Sequence, residues 1–241
     1  MFQIRIADLC IEIDNKYPAV ARLCREYIVN AEKPDFSVSA TNEQIEAEQA
    51  QSEHPVSKGY CESICIYREI AQHLPDYRGF VFHAAVIELD GVAYAFAAKS
   101  GTGKSTHTSL WQKHFGQKVS FVNGDKPIMR WIDGKLYACG TPWNGKEKYG
   151  TNTIRPLQAL CFLDRGEKNS IARIDNREVI DRIFKQVLMP TEPQKLLAFL
   201  SDIEEMINAV PCYLLKCNIS DEAVTVAYNA MRPAQAEGDA T

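Results

Sequence analysis

Apolar and polar residues alternate over residues 2–6 and 9–13, on either side of Ala7-Asp8, and this two-residue period predicts a small hairpin. The period then lengthens. Tyr17, Val20, Cys24, Tyr27 and Ile28 recur at helical spacing. Alternation returns over residues 35–40 (DFSVSA), which predicts a third short strand. Thr41 and Gln44 have the T-x-x-Q form of a capping box, ahead of a polar stretch (EAEQAQSEH) that reads as a frayed helix or a loop. Residues 58–74 set Tyr60, Ile64, Tyr67, Ala71 and Leu74 on one face, an amphipathic helix ended by Pro75-Asp76.

From residue 80 the chain turns mostly apolar. Residues 80–87 (FVFHAAVI) predict one buried strand, Asp90-Gly91 a hairpin turn, and Val92, Tyr94, Phe96 and Ala97 the strand that follows. Further strands are predicted over 118–122, over 128–132 and 136–139 around Asp133-Gly134, and over 157–163. Helices return over 176–188, behind Asp175 and Glu178 in cap positions. Another opens at Thr191-Glu192-Pro193-Gln194 with Leu196, Leu200, Ile203 and Ile207 as its apolar stripe. Residues 212–217 form a last strand, and Ser220 caps a helix running to Met231. The tail, 232–241, is predicted to be disordered. Helices, then a group of strands, then helices again is not the regular strand–helix rhythm of a doubly wound sheet. It predicts an α/β fold with a mixed, strand-rich sheet and flanking helices, organised as a small α+β subdomain over 1–55 and a larger domain over 56–231.

Composition narrows the class. With 241 residues, 46% of them hydrophobic and 24% charged, the chain can bury a sizeable core. A net charge of −4 and the lack of a basic block argue against nucleic acid as a partner. No run approaches the ~18 apolar residues of a membrane helix, and the N-terminus (MFQIRIADLCIEID) lacks a signal-peptide profile. The eight cysteines form no C-x-x-C pair, and Cys10, Cys139, Cys161 and Cys212 lie among strand-like apolar residues, where a reduced thiol packs as a small hydrophobe. Cys61 and Cys65 stand four apart without a second pair, against the spacing of a zinc site. A reducing, cytoplasmic setting is the expectation.

The chemistry concentrates behind the strand at 92–97. Ala98-Lys99-Ser100-Gly101-Thr102-Gly103-Lys104-Ser105 fits the phosphate-loop pattern G-x-x-x-x-G-K-[ST], with Ala98 in place of the first Gly. Gly101 and Gly103 let consecutive N–H groups point inward at phosphate oxygens, and the following helix aims its positive end at the same anion. Lys104 would reach the β- and γ-phosphates, the Ser105 hydroxyl would sit on Mg²⁺, and Thr106 could bond the α-phosphate. His107 is expected on the surface. Mg²⁺ also needs an acid at the end of a nearby strand, and both Asp125 and Asp164 end strands. Spacing does not choose between them, and a strand-end Asp is commonly a turn or cap residue. Residues 141–148 (TPWNGKEK), with Trp143, Lys146 and a Gly hinge, could close as a lid or form an ordinary turn. Arg155 and Arg165 bracket the Asp164 strand and could neutralise phosphate or lie on the surface.

His83, the Asp90-Gly91 turn, Ser100–Ser105, Asn123-Gly124-Asp125-Lys126 and Gly140-Thr141-Pro142-Trp143-Asn144-Gly145-Lys146 together resemble the catalytic core of HPr kinase/phosphorylase, most of all its smaller kinase-like relatives. The resemblance spans roughly residues 78–170. It implies a phosphate-loop fold variant shared with ATP-dependent phosphoenolpyruvate carboxykinase. It also implies His83 orienting the acidic site, and an acidic pair at 124–125 that bears on Mg²⁺ and on a seryl hydroxyl. Here Gly124 replaces the first acid, so Asp125 does both jobs, or Asp164 or Glu147 assists, or catalysis is impaired. The expectation is an ATP- and Mg²⁺-dependent phosphotransferase to a hydroxyl of a protein, a peptide or a small molecule, with room for a homo-oligomer. Catalytic roles fall to Asp125, His83 and Lys104. A nucleotide-binding module without catalysis and a carboxykinase are the alternatives.

Overall fold

A computed structural model describes residues 1–30 and 33–233. The tail predicted to be disordered lies, from residue 234 on, outside the described residues. The N-terminal part opens with the predicted hairpin, β1 (Phe2–Ile6) and β2 (Leu9–Asp14), in register Phe2 to Ile13. Only a short helix follows, α1 (Pro18–Leu23), before β3 (Ile28–Val29) and β4 (Phe36–Ser39) complete a four-stranded sheet of order β3-β1-β2-β4. The capping box is real. Gln44 N–H donates to Thr41 Oγ1 and Thr41 N–H donates to Gln44 Oε1; helix α2 (Asn42–Ala50) takes in the first part of the polar stretch, and residues 51–54 leave it. Helix α3 (Lys58–His73) buries Cys61, Ile66, Tyr67 and Ile70 in one core with the strands of this sheet and with Val81, Ile128, Cys139 and Trp143 further along the chain.

The larger sheet starts with a correction. The apolar run at 80–87 is not one strand: it breaks at Phe82-His83 into β5 (Gly79–Val81) and β6 (Ala84–Leu89). Next come β7 (Val92–Ala97), helix α4 (Lys104–Phe115), β8 (Val119–Asn123), β9 (Ile128–Ile132), β10 (Lys135–Cys139) and the long β11 (Ile154–Arg165). A four-residue edge strand missed in the sequence, β12 (Ser170–Arg173), precedes α5 (Asn176–Ile183), α6 (Pro193–Ala209), β13 (Cys212–Cys217) and α7 (Asp221–Met231). The order runs β5-β9-β10-β11-β7-β6-β8, with β13 on β11 and β12 on β13. Antiparallel pairs dominate, but β11 lies parallel to β7 and to β13. The fold is the mixed α/β one predicted, a strand-rich sheet with flanking helices.

Alternation along β7 shows how the layers form. Ala93, Ala95 and Ala97 face the core beneath α5 and α6, while Tyr94 and Phe96 face the core beneath α4 and α7. The helix predicted over 176–188 stops at Ile183, because the next residues turn back to the sheet and Val187 bridges Phe82. No helix among the described residues is long and apolar enough to cross a membrane.

Strand β6 is antiparallel to both β7 and β8. The C-terminal ends of β7 and β8 therefore meet the N-terminal end of β6 on one edge of the sheet, and everything after Ala97, after Asn123 and just before Ala84 gathers there.

Candidate functional site

Beyond β7 the chain curls through the Gly-rich loop into α4. Gly101 has φ +77° and Gly103, the N-cap of α4, has φ +123°, both in the range that L side chains avoid. No side chain caps the helix and no acidic residue stands in its first turn, so its N-terminal N–H groups and positive end face outward. Ser100, Gly101 and Thr106 are exposed and Ser105 is half-buried. Arg165, at the end of β11, fixes the outer side of the loop by donating to Gly101 O at 2.7 Å and Thr102 O at 3.4 Å.

Lys104 folds back over the loop. Its Nζ donates to Ala98 O at 3.1 Å and lies 3.2 Å from His83 Nε2. Burial lowers its pKa, against the charge of Asp125, which raises it. That cation is under-compensated inside the protein, the state a bound polyanion would relieve.

Asp125 is presented by a corner that Asn123 builds. Asn123 is fully buried at the end of β8; its Oδ1 accepts from Asp125 N–H (2.8 Å) and Lys126 N–H (2.7 Å), an Asx turn. Its Nδ2 donates to Thr141 O and Thr141 Oγ1, and Thr141 Oγ1 and Tyr67 OH both donate to Lys126 O. Every polar atom of that side chain is satisfied, so the carboxylate of Asp125 is held in one place. It pairs with His83 Nε2 at 3.1 Å and with Lys126 Nζ at 3.8 Å. Burial pushes its pKa up, but the His83 hydrogen bond and the charges of Lys126, His83 and Lys104 outweigh it and hold the carboxyl below its usual range.

His83 sits in the break between β5 and β6. Its N–H donates to Gln186 O (2.6 Å), and the next residue, Ala84, donates to Asp125 O (3.0 Å). One ring nitrogen, Nε2, faces both Lys104 and Asp125. It can accept from the lysine or donate to the carboxylate, not both at once. Lys104, His83 and Asp125 thus form one line across the mouth of the loop.

The other sequence candidates fall in different places. Trp143 is buried; it stacks on Tyr67 with ring centroids 4.2 Å apart and donates to Ser63 O, fastening residues 141–150 to α3. Lys146 is exposed on that segment. Arg155 stands apart from the loop, its Nε 2.9 Å from Glu88 on β6, near the Asp90-Gly91 end. Asp164 is held by Arg182 at 3.1 Å, so of the two strand-end acids it is Asp125 that joins His83 and Lys104. Sequence reasoning missed Asn123 as the pivot, although an Asn two residues before a strand-end Asp is an Asx-turn signal. It also missed Gln186, which is fixed by distant pairing and leaves no local trace, and it placed Thr141 in a lid or turn, where the structure has it bracing Asn123 and Lys126 O.

His107, expected on the surface, is buried beneath Phe96 and Trp111. Trp111 Nε1 donates to His107 Nε2 at 3.0 Å, which places the ring proton on Nδ1, a buried atom without a partner. Burial lowers its pKa from 6.5 to about 4. In the window between those values protons bind the unfolded chain only, so stability is complete above pH 6.5 and is lost as the pH falls toward 4, by about 3 kcal/mol in total. His107→Gln keeps an acceptor for Trp111 and cannot titrate. Urea unfolding should show a flattened stability profile over that window for the variant; a profile as steep as the wild type's would assign the acid loss elsewhere.

No family model matches the sequence, and no curated protein matches it. Among solved structures, the Hpr(Ser) kinase/phosphatase from Coxiella burnetii aligns over 62% of this chain and 95% of its own, with 14% identity and a TM-score of 0.33. At that score the likeness carries no weight beyond itself, and the functional reading rests on the residues of this chain.

Proposed function

We propose that the chain is an ATP- and Mg²⁺-dependent phosphotransferase of the HPr kinase type, acting on a hydroxyl. The observation that carries the reading is the line Lys104–His83–Asp125 at the mouth of an uncapped, Gly-rich helix N-terminus. The residues suit the ligands. Loop amides and Lys104 favour a polyphosphate, and Ser105 with Asp125 offers the hard oxygen donors that Mg²⁺ prefers. When bound, the metal would neutralise charge on the phosphate oxygens.

The side chains then divide the work. Lys104 leaves Ala98 O and His83 for the β- and γ-phosphates and stabilises charge on the departing diphosphate. That departure frees His83 Nε2 to donate to Asp125 alone, which fixes the carboxylate. Asp125, ionised at neutral pH, accepts the acceptor's hydroxyl proton as the new O–P bond forms and the bond from the γ-phosphorus to the bridging oxygen breaks. Arg165 keeps the loop carbonyls turned aside so that its amides face the anion. Lys146 stands on the adjoining segment, where it could meet phosphate. The acceptor is a seryl-type hydroxyl of a protein, peptide or small molecule.

The test is transfer of label from γ-labelled ATP to free serine and to seryl peptides with Mg²⁺ present. Mg²⁺-dependent labelling of a hydroxyl with release of ADP is expected. Nucleotide binding with no acceptor labelled would favour a binding module instead, the reading that Gly124 invites.

A further inference from the structure

Three lysines gather at the Asp125 corner. Lys126 follows Asp125 directly; its Nζ lies 3.8 Å from Asp125 Oδ2, and its side chain is 47% exposed. Lys146 and Lys148 are exposed on the turn at 145–148, which Lys148 N–H closes by donating to Gly145 O. That turn is fixed to the corner. Gly124 N–H donates to Tyr149 O at 2.7 Å, Asn123 bridges Gly150, and the Tyr149 ring stacks on Phe121 with centroids 4.3 Å apart.

The chain makes little use of these cations itself. Lys58 and Lys195 are ion-paired, to Glu46 at 2.8 Å and to Asp76 at 3.1 Å, whereas among the described residues Lys146 and Lys148 have no carboxylate partner. Lys148 also sits at φ +55°, a conformation that Gly or Asn takes at less cost. Arg78, the other long side chain in that conformation, is anchored by Asp202 and Glu205. No contact among the described residues accounts in the same way for a lysine at 148. Glu147 offsets one of the three charges, so the patch stays positive on a chain whose net charge is −4.

We infer that the acceptor is a peptide segment with carboxylates on the residues beside its hydroxyl, and that Lys126 and Lys148 read them; this rests on the phosphotransferase reading. In phosphoryl transfer the attacking and leaving oxygens lie on opposite sides of the phosphorus. The diphosphate leaves toward Lys104 and the loop, so the acceptor enters on the side of Asp125, where Lys126 stands. Successive residues of an extended peptide advance about 3.3 Å. With the hydroxyl on Asp125, carboxylates one or two residues away come within the reach of a lysine side chain. Several separated cations suit several carboxylates better than the single one of free serine. Lys146, on the same turn, can serve nucleotide or acceptor, so the assignment is made for Lys126 and Lys148.

Fluorescence anisotropy reads this recognition apart from the chemistry. Three labelled peptides share one central Ser, flanked by Glu, by Gln or by Lys, and are titrated into protein holding a non-hydrolysable ATP analogue and Mg²⁺. The Glu peptide should bind about 5- to 30-fold tighter than the Gln peptide, the sum of a few solvent-exposed charge pairs, and the Lys peptide weakest. That advantage should fade as salt rises toward about 1 M, where charges are screened over roughly 3 Å. Lys126→Gln combined with Lys148→Gln should bring the Glu-to-Gln ratio close to one, and Lys148→Glu should shift preference toward the Lys peptide. Equal binding of the Glu and Gln peptides by the wild type, or none of either, would overturn the proposal. A Glu preference that survives in the double variant would do the same, as would labelling of free serine by γ-labelled ATP ahead of every peptide. The expected preference without transfer to any hydroxyl would keep the acidic-peptide surface and overturn the phosphotransferase reading beneath it.

Discussion

Asp125→Asn is expected to cut phosphoryl transfer by about 10²- to 10⁴-fold, the range for losing a positioned general base, while metal-free ATP binds about as tightly as before. The variant keeps the shape of the side chain and its place beside His83, 3.1 Å away in the wild type, and removes only the charge. Binding without metal should not suffer, because on the proposed reading the loop amides and Lys104 would hold the phosphates, and a nearby negative charge has been removed. Single-turnover kinetics beside equilibrium binding separates the two effects. Full Mg²⁺-dependent turnover in Asp125→Asn would show that neither the metal nor the hydroxyl proton depends on this carboxylate. Acid gives a related signature. The depressed pKa of Asp125 stabilises the fold above the unfolded-chain value of 3.8, and that contribution is lost as the pH falls through the folded value.

Asn123→Ala should have the second large effect, on stability and on the site together. Four hydrogen bonds end on this buried side chain, two accepted from Asp125 and Lys126 N–H and two donated to Thr141. At about 1 kcal/mol net for each, the loss is about 3–4 kcal/mol, and the Asx turn that presents Asp125 goes with it. Thermal unfolding should show the drop. Asn123→Asp, which keeps the two acceptor bonds and loses the donor pair, should fall between. If Asn123→Ala melted like the wild type and turned over normally, the corner would not be what fixes Asp125.

How far the chain itself disclosed this site depends on whether each signal is local. The hairpins at Asp90-Gly91 and Asp133-Gly134 were legible because each turn needs two consecutive positive φ values, which the structure has at +54°, +83°, +47° and +73°. The Gly-rich loop before α4 was legible for the same reason: spacing and glycines record backbone geometry, with Gly101 at +77° and Gly103 at +123°. The break at Phe82-His83 was not. It is made by partners about forty and a hundred residues further on, Pro127 O and Gln186 O, and an unbroken apolar run gives no sign of them. Helix α6 was found, but its buried line is Phe199, Ile203 and Met206 with Asp202, while Leu200 and Leu197 are 37% and 70% exposed. Apolar residues occur all round that helix, so periodicity did not define a face. Strand β12 was missed because it is polar and mostly exposed, paired along one side only. His107 reads as a polar residue, and its burial follows from Trp111 one turn further along, a pairing visible only once the helix is in place.

Calorimetric titration of ATP, with and without Mg²⁺, into wild type and Lys104→Ala tests most directly whether a nucleoside triphosphate is held at residues 98–105 with Lys104 on its terminal phosphates. Removing a buried cation that contacts phosphate costs about 2–5 kcal/mol, so wild type should bind saturably and Lys104→Ala should lose about 30-fold or more in affinity at unchanged folded content. Equal affinity in the two proteins, or no binding by the wild type, would contradict the account.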